Sequence, residues 1–88
     1  MRFIETIDVN YWNEGQGFSH SECASNETVD VDLDKVTAKT YADFVKDWTD
    51  DGDYDGYKFT VRFFDENANP GDEPVKEIEF WDDDALED

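Results

Sequence analysis

The 88 residues include one cysteine and one histidine, and only two prolines. A lone Cys23 cannot close an internal disulfide, so any fold must be held by its core without a covalent brace. His20 and Cys23 stand three apart and could supply two soft ligands, but a structural zinc site needs four and the sequence has no second pair. No third group at recognisable spacing orients the two for Cys-His nucleophilic chemistry. Basic residues are also scarce, with seven Lys plus Arg against 25 Asp plus Glu, for a formal net charge of −18. Such a polyanion is repelled by nucleic-acid phosphates and by an anionic membrane leaflet. There is no glycine-rich phosphate loop and no basic stripe interleaved with aromatics, which leaves nucleotide and RNA binding without support. No apolar run approaches the roughly 20 residues of a membrane span. The opening MRFIETIDV has neither the apolar run nor the cleavage site of a secretory signal, so cytoplasmic residence is expected.

What is present is enough to fold. Apolar residues make up 38% of the chain and aromatic residues 16%, on the globular side of the line that separates folded chains from acidic disordered tails. A chain of this length holds one small domain, residues 1–88, whose core only marginally offsets the entropy lost on folding. Self-repulsion of the charge excess works against that core, so the acidity asks for a reason outside the fold.

Apolar residues alternate in 2–12, with Phe3, Ile7, Val9 and Tyr11 on one side, and predict a strand. Glu5 interrupts the apolar side and is expected near an edge. Residues 13–27 show no period and are rich in Gly, Ser and Asn, which predicts a long loop pinned by Phe18. TVDVDLD, residues 28–34, alternates strictly and predicts a second strand with Val29, Val31 and Leu33 inward. Thr40 and Asp43 have capping-box spacing, and Tyr41, Phe44, Val45 and Trp48 follow as one helical stripe. Two more strands are predicted at 57–64 and 75–81, joined as a hairpin by the turn-rich DENANPGDEP, and the acidic residues 82–88 read as a frayed tail. The order strand, strand, helix, strand, strand predicts an α+β fold: a four-stranded, largely antiparallel sheet with one helix packed on one face.

The charge is patterned along the chain. Residues 65–88 hold eleven acids against Lys76 alone, and residues 50–56 hold four acids and no base, whereas 57–64 is positive through Lys58 and Arg62. Asp30, Asp32 and Asp34, at every second position of a predicted strand, would project together with a repeat of roughly 6.6 Å. Phosphates along a nucleic acid strand lie on the order of 6 to 7 Å apart, so this row could imitate a short phosphate run. On the hairpin, Arg62 is expected opposite or diagonal to Glu77 or Glu79, which assigns those charges to the fold. Trp12 at a strand end and Trp81 beside the tail are candidate interface anchors.

Asp51, Asp53, Asp55 and Gly56 spell the first half of a calcium loop, but the position of the bidentate Glu is occupied by Arg62 and a strand follows in place of a helix. The abundance of carboxylates makes no pair distinctive for acid-base catalysis, and no enzymatic activity is expected. The expectation is an acidic, phage-encoded inhibitor that mimics DNA and blocks the groove of a host defence enzyme, a CRISPR effector or restriction enzyme. It is similar to such inhibitors in size, charge and patterning. Asp30, Asp32, Asp34, Asp50, Asp51, Asp53, Asp55, Asp82, Asp83 and Asp84 are the candidate contacts to that basic partner, with no cofactor. The alternatives are an immunity protein against a nuclease toxin, a calcium-binding acidic module using Asp51, Asp53 and Asp55, and a domain adapted to high salt.

Overall fold

The computed structural model describes residues 2–50, 52 and 54–86. β1 (Arg2–Asn13) and β2 (Gly17–Asp30) form a long antiparallel hairpin. Its turn closes with Gln16 N–H donating to the Asn13 carbonyl at 3.1 Å, and Gly15 and Gly17 take φ of 85° and 80°, a region costly for residues with a Cβ. β3 (Gly56–Asp65) pairs with the other side of β1, and β4 (Lys76–Trp81) pairs with β3. The sheet order is β2-β1-β3-β4, with every neighbouring pair antiparallel.

Because β2 and β3 flank β1 on opposite sides, the residues between them must cross the sheet. They do so through 3-10 turns at Leu33–Lys35 and Ala38–Tyr41, the second running into α1 (Ala42–Trp48). At seven residues α1 is too short to be stable alone. It is held by Val45, fully buried, and by Phe44, which meets Phe59 edge-on at 6.2 Å and stacks on Trp48 at 5.8 Å. A second short helix, α2 (Asp82–Leu86), follows β4 and packs against α1 and the Ala38–Tyr41 turn. The result is an α+β fold in which the main helix covers one face of a four-stranded antiparallel sheet.

The core lies between that face and the crossover. Phe3, Ile7, Val9 and Tyr11 of β1, Tyr57, Phe59, Val61 and Phe63 of β3, and Phe80 of β4 are buried against Val36, Tyr41, Val45 and Ala85. Burying each large apolar side chain fully is worth about 1.5–3 kcal/mol, which makes this cluster the main stabilising element.

Four local expectations are corrected. Residues 17–27 are strand, not loop: β2 is an edge strand exposed on much of its length, so it carries no apolar alternation for periodicity to detect. The strand expected over 28–34 ends at Asp30, because the Asp32 carboxylate accepts from Asp34 N–H at 3.1 Å and starts the 3-10 turn. A local side-chain bond of this kind offers the backbone an alternative to the ladder. The crossover helix begins earlier than Thr40–Asp43 spacing implies, with Thr37 N–H donating to Thr40 Oγ1 at 3.0 Å. The supposed frayed tail forms α2 as far as Leu86, its Ala85 buried and its Asp84 Oδ2 accepting from Trp81 N–H at 3.0 Å, the return half of a capping box. Residues 87 and 88 of that tail lie outside the described residues.

Glu5 is likewise not near an edge. It sits buried on a central strand and accepts from the Tyr41 hydroxyl at 2.8 Å. Among the described residues no helix is long and apolar enough to cross a membrane.

Candidate partner-binding surface

The sheet face away from α1 is formed by alternate residues: Thr6, Asp8, Asn10 and Trp12 of β1, Lys58, Thr60 and Arg62 of β3, and Glu77, Glu79 and Trp81 of β4. Its centre is charge-balanced. Arg62 stands opposite Glu77, its Nε donating to Glu77 Oε2 and its Nη1 to Asp8 Oδ2, both at 3.0 Å. Lys58 Nζ lies 3.2 Å from Glu79 Oε2. Such half-exposed pairs contribute about 0–1 kcal/mol each, yet they consume the cations of the face. The sequence expectation that the hairpin charges belong to the fold is met by these contacts. Two further cations are engaged nearby: Arg2 Nε lies 3.9 Å from Glu66, and Lys76 Nζ donates to the Leu33 carbonyl at 2.6 Å.

Further acids cluster at the two ends of the sheet. At one end the register Arg2↔Asp30 and Phe3↔Asp65 brings together the exit of β2, the Leu33–Lys35 turn and the β3–β4 connection with its exposed Asp72 and Glu73. Asp30, Asp32 and Asp34 line one hollow there of about 550 Å³ together with Phe3, Val31 and Leu33. The three carboxylates thus share a site, but the evenly spaced strand row expected from the sequence does not form, because Asp32 is drawn into the turn.

At the other end the register Trp12↔Gly56 and Lys58↔Trp81 assembles the hairpin turn, the start of β3 and α2. Asp55, Asp82 and Asp83 line a hollow of about 370 Å³ with Trp12, Phe18, Gly56 and Trp81. Asp50 is exposed just after α1. Asp84 is exposed but holds the β4–α2 junction. Asp51 and Asp53 lie outside the described residues. From Arg2 to Trp12, at about 3.3 Å per strand residue, the two ends stand about 33 Å apart. The molecule measures 40 × 30 × 17 Å.

Two carboxylates of the second hollow are placed by backbone N–H groups. Asp55 Oδ2 accepts from Glu14 N–H at 2.8 Å, and Asp55 N–H donates to Asn13 Oδ1 at 3.2 Å, tying the loop before β3 to the hairpin turn. Asp82 Oδ1 accepts from Tyr57 N–H at 3.4 Å. Partial burial raises the Asp82 carboxyl above the usual carboxylate range, and the neighbouring Asp83 charge pushes the same way against the Tyr57 hydrogen bond. Beside them Trp81 stacks on Phe18, centroids 5.9 Å apart at 23°, and meets Trp12 edge-on at 5.9 Å. Gly56 underlies both indoles: a Cβ there would stand 3.1 Å from Trp81 Cζ3 and 3.3 Å from Trp12 Cε3.

This aromatic group is what sequence reasoning missed. Trp12 and Trp81 are legible singly as anchors, but their meeting with Phe18 depends on the pairing Trp12↔Phe18, which needs β2 to be a strand.

The remaining candidates separate. His20 pairs with Tyr11 and stacks on it at 4.5 Å on the helix side, while Cys23 pairs with Asp8 of the open side, so the two cannot share a ligand. Tyr11 donates to Glu22 and accepts from Trp48 Nε1–H at 3.0 Å; burial first, then the Glu22 acceptor, push its phenol up to about 12. Among the described residues no group of three or more His, Cys, Asp or Glu is arranged to hold a metal ion. Comparison of the chain with protein-family models, with curated proteins and with solved structures finds no match, so the reading of function rests on the chemistry of these two acidic ends.

Proposed function

We propose that the chain is a non-catalytic acidic inhibitor that enters the nucleic-acid groove of a basic enzyme in place of DNA, in the cytoplasm of an infected host, as viruses do against CRISPR effectors and restriction enzymes. The observation that carries this reading is the segregation of charge. Lys58 and Arg62 pair with Asp8, Glu77 and Glu79 at the centre of the open face, whereas Asp30, Asp32 and Asp34 line a hollow at one end of the sheet and Asp55, Asp82 and Asp83 a hollow at the other. A coat evolved for solubility in brine has no need of a neutral centre between two acidic ends.

The spacing supports the same reading. Ends about 33 Å apart approach one turn of duplex DNA, about 34–36 Å, the interval at which phosphates return to the same side. A basic groove that follows one turn of duplex would meet an acidic group at each end of this sheet. Long-range attraction would speed encounter and weaken as salt rises.

The test is capture. The full chain is immobilised and exposed to bacterial lysate at low salt, then eluted with duplex DNA. The reading expects nucleic-acid enzymes to be retained and released by the DNA. Retained proteins that duplex DNA fails to displace would contradict it.

A further inference from the structure

The hollow at the β4–α2 end differs from its counterpart in being walled by aromatic rings. Phe18 is 54% exposed and Trp81 36% exposed, on a face whose other side chains are mostly polar. The rings pack closely: a Cβ at Gly56 would stand only 3.1 Å from Trp81 and 3.3 Å from Trp12, and Phe18 stacks on Trp81. Asp55, Asp82 and Asp83 stand at the rim of the same hollow, two of them fixed by backbone N–H groups. Aromatic walls with carboxylates beside them select for one kind of group. An apolar side chain would satisfy the rings but take water from the carboxylates without supplying a cation to balance their charge, which is costly. A flat cation satisfies both, its face lying on the rings and its N–H groups reaching the carboxylates.

We infer that this hollow receives an arginine side chain of the basic partner, its guanidinium stacked among Trp12, Phe18 and Trp81 and hydrogen-bonded by Asp55, Asp82 and Asp83. Arginine is favoured over lysine because the guanidinium is planar, less strongly hydrated and offers several donors in a fixed fork. The assignment rests on the reading of the chain as an inhibitor of a basic enzyme, and it adds a specific anchor to what is otherwise diffuse attraction. The opposite acidic hollow, with Phe3 as its one aromatic residue, would supply charge without this selectivity.

The experiment uses the full chain labelled with nitrogen-15, whose three tryptophans give three indole N–H signals, assigned by replacing each Trp in turn with Phe. The probes are N-acetylated tri-arginine amide, tri-lysine amide and tri-citrulline amide, the last of these neutral, at low ionic strength. Tri-arginine is expected to shift the Trp12 and Trp81 signals saturably and leave Trp48 unmoved. Tri-lysine should bind about two- to fivefold more weakly, and Phe18→Ala should weaken tri-arginine by a similar factor, the size of an exposed cation–π contact. Phe18 is half-exposed, so the variant keeps the fold, which the remaining amide signals report.

Unmoved Trp12 and Trp81 signals, an unchanged Kd for Phe18→Ala, or equal binding of tri-citrulline would each overturn the assignment. Failure here is separable from failure of the functional reading. Nucleic-acid enzymes captured from lysate and released by DNA would leave mimicry standing without this anchor, and saturable arginine binding without such capture would leave a cation site without mimicry.

Discussion

The Tyr41 hydroxyl donates to Glu5 Oε2 at 2.8 Å inside the core, joining the crossover to a central strand. A carboxylate on the apolar side of a buried strand is tolerated only with such a donor. Tyr41→Phe removes it and leaves the acceptor unsatisfied, at a cost of about 1–3 kcal/mol. Urea unfolding at pH 7 measures this, and a midpoint within error of the parent would show that Glu5 finds another partner.

Two of the buried tyrosines, Tyr11 and Tyr41, also set an alkaline limit. Burial and an acceptor carboxylate, Glu22 for Tyr11 and Glu5 for Tyr41, raise both phenols above their ordinary value of 10.0, Tyr11 to about 12. Folding therefore favours their protonated forms. The associated stability is complete below pH 10 and is lost as pH rises from 10 through about 12 for Tyr11 and further for Tyr41. Unfolding midpoints should fall between pH 9.5 and about 11.5, and Tyr11→Phe should flatten part of that fall.

Asp82 predicts a trade between stability and binding. Its carboxyl is raised by burial, so ionisation at neutral pH opposes folding, and this penalty is absent below the ordinary value of 3.8. Asp82→Asn keeps an oxygen for Tyr57 N–H and removes the charge. It should raise the melting temperature at pH 7 and lose that advantage near pH 3, while weakening tri-arginine binding. A lower melting temperature at pH 7 would mean that the charge itself holds the β4–α2 corner.

Gly56→Ala tests the floor of the aromatic hollow. The added methyl would stand 3.1 Å from Trp81 and 3.3 Å from Trp12, so the indoles must move. Overpacking of this kind costs about 1–3 kcal/mol. Near-ultraviolet circular dichroism should lose intensity in the tryptophan region, and an unchanged spectrum would show that the rings yield freely.

How far these features were legible follows from burial. β1 and β3 face the core on one side, so Phe3, Ile7, Val9 and Tyr11, and Tyr57 to Phe63, announce themselves by alternation. Between Phe18 and Val29, β2 places His20, Glu22, Ser25 and Glu27 on the helix side and mainly polar residues outward, and it is paired through its backbone, which leaves no period to read there. Asp32 and Asp84 read as surface charge in the sequence because composition does not distinguish a solvated carboxylate from one that accepts a backbone N–H. Glu5 misled for a related reason: its partner Tyr41 is 36 residues away. The Arg62–Glu77 pair was legible because a hairpin fixes register locally.

The central claim is that the acidic ends replace DNA phosphates, and the salt dependence of binding tests it most directly. With a captured partner, log Kd is measured against log salt between 50 and 200 mM for the parent, for Asp30, Asp32 and Asp34 all changed to Asn, and for Arg62→Met. Asn retains the capacity to start the turn at position 32, so the triple variant should fold. The account predicts a steep rise of Kd with salt for the parent, a shallower slope and weaker binding for the triple variant, and an unchanged slope for Arg62→Met. A Kd that does not change over this range would contradict it.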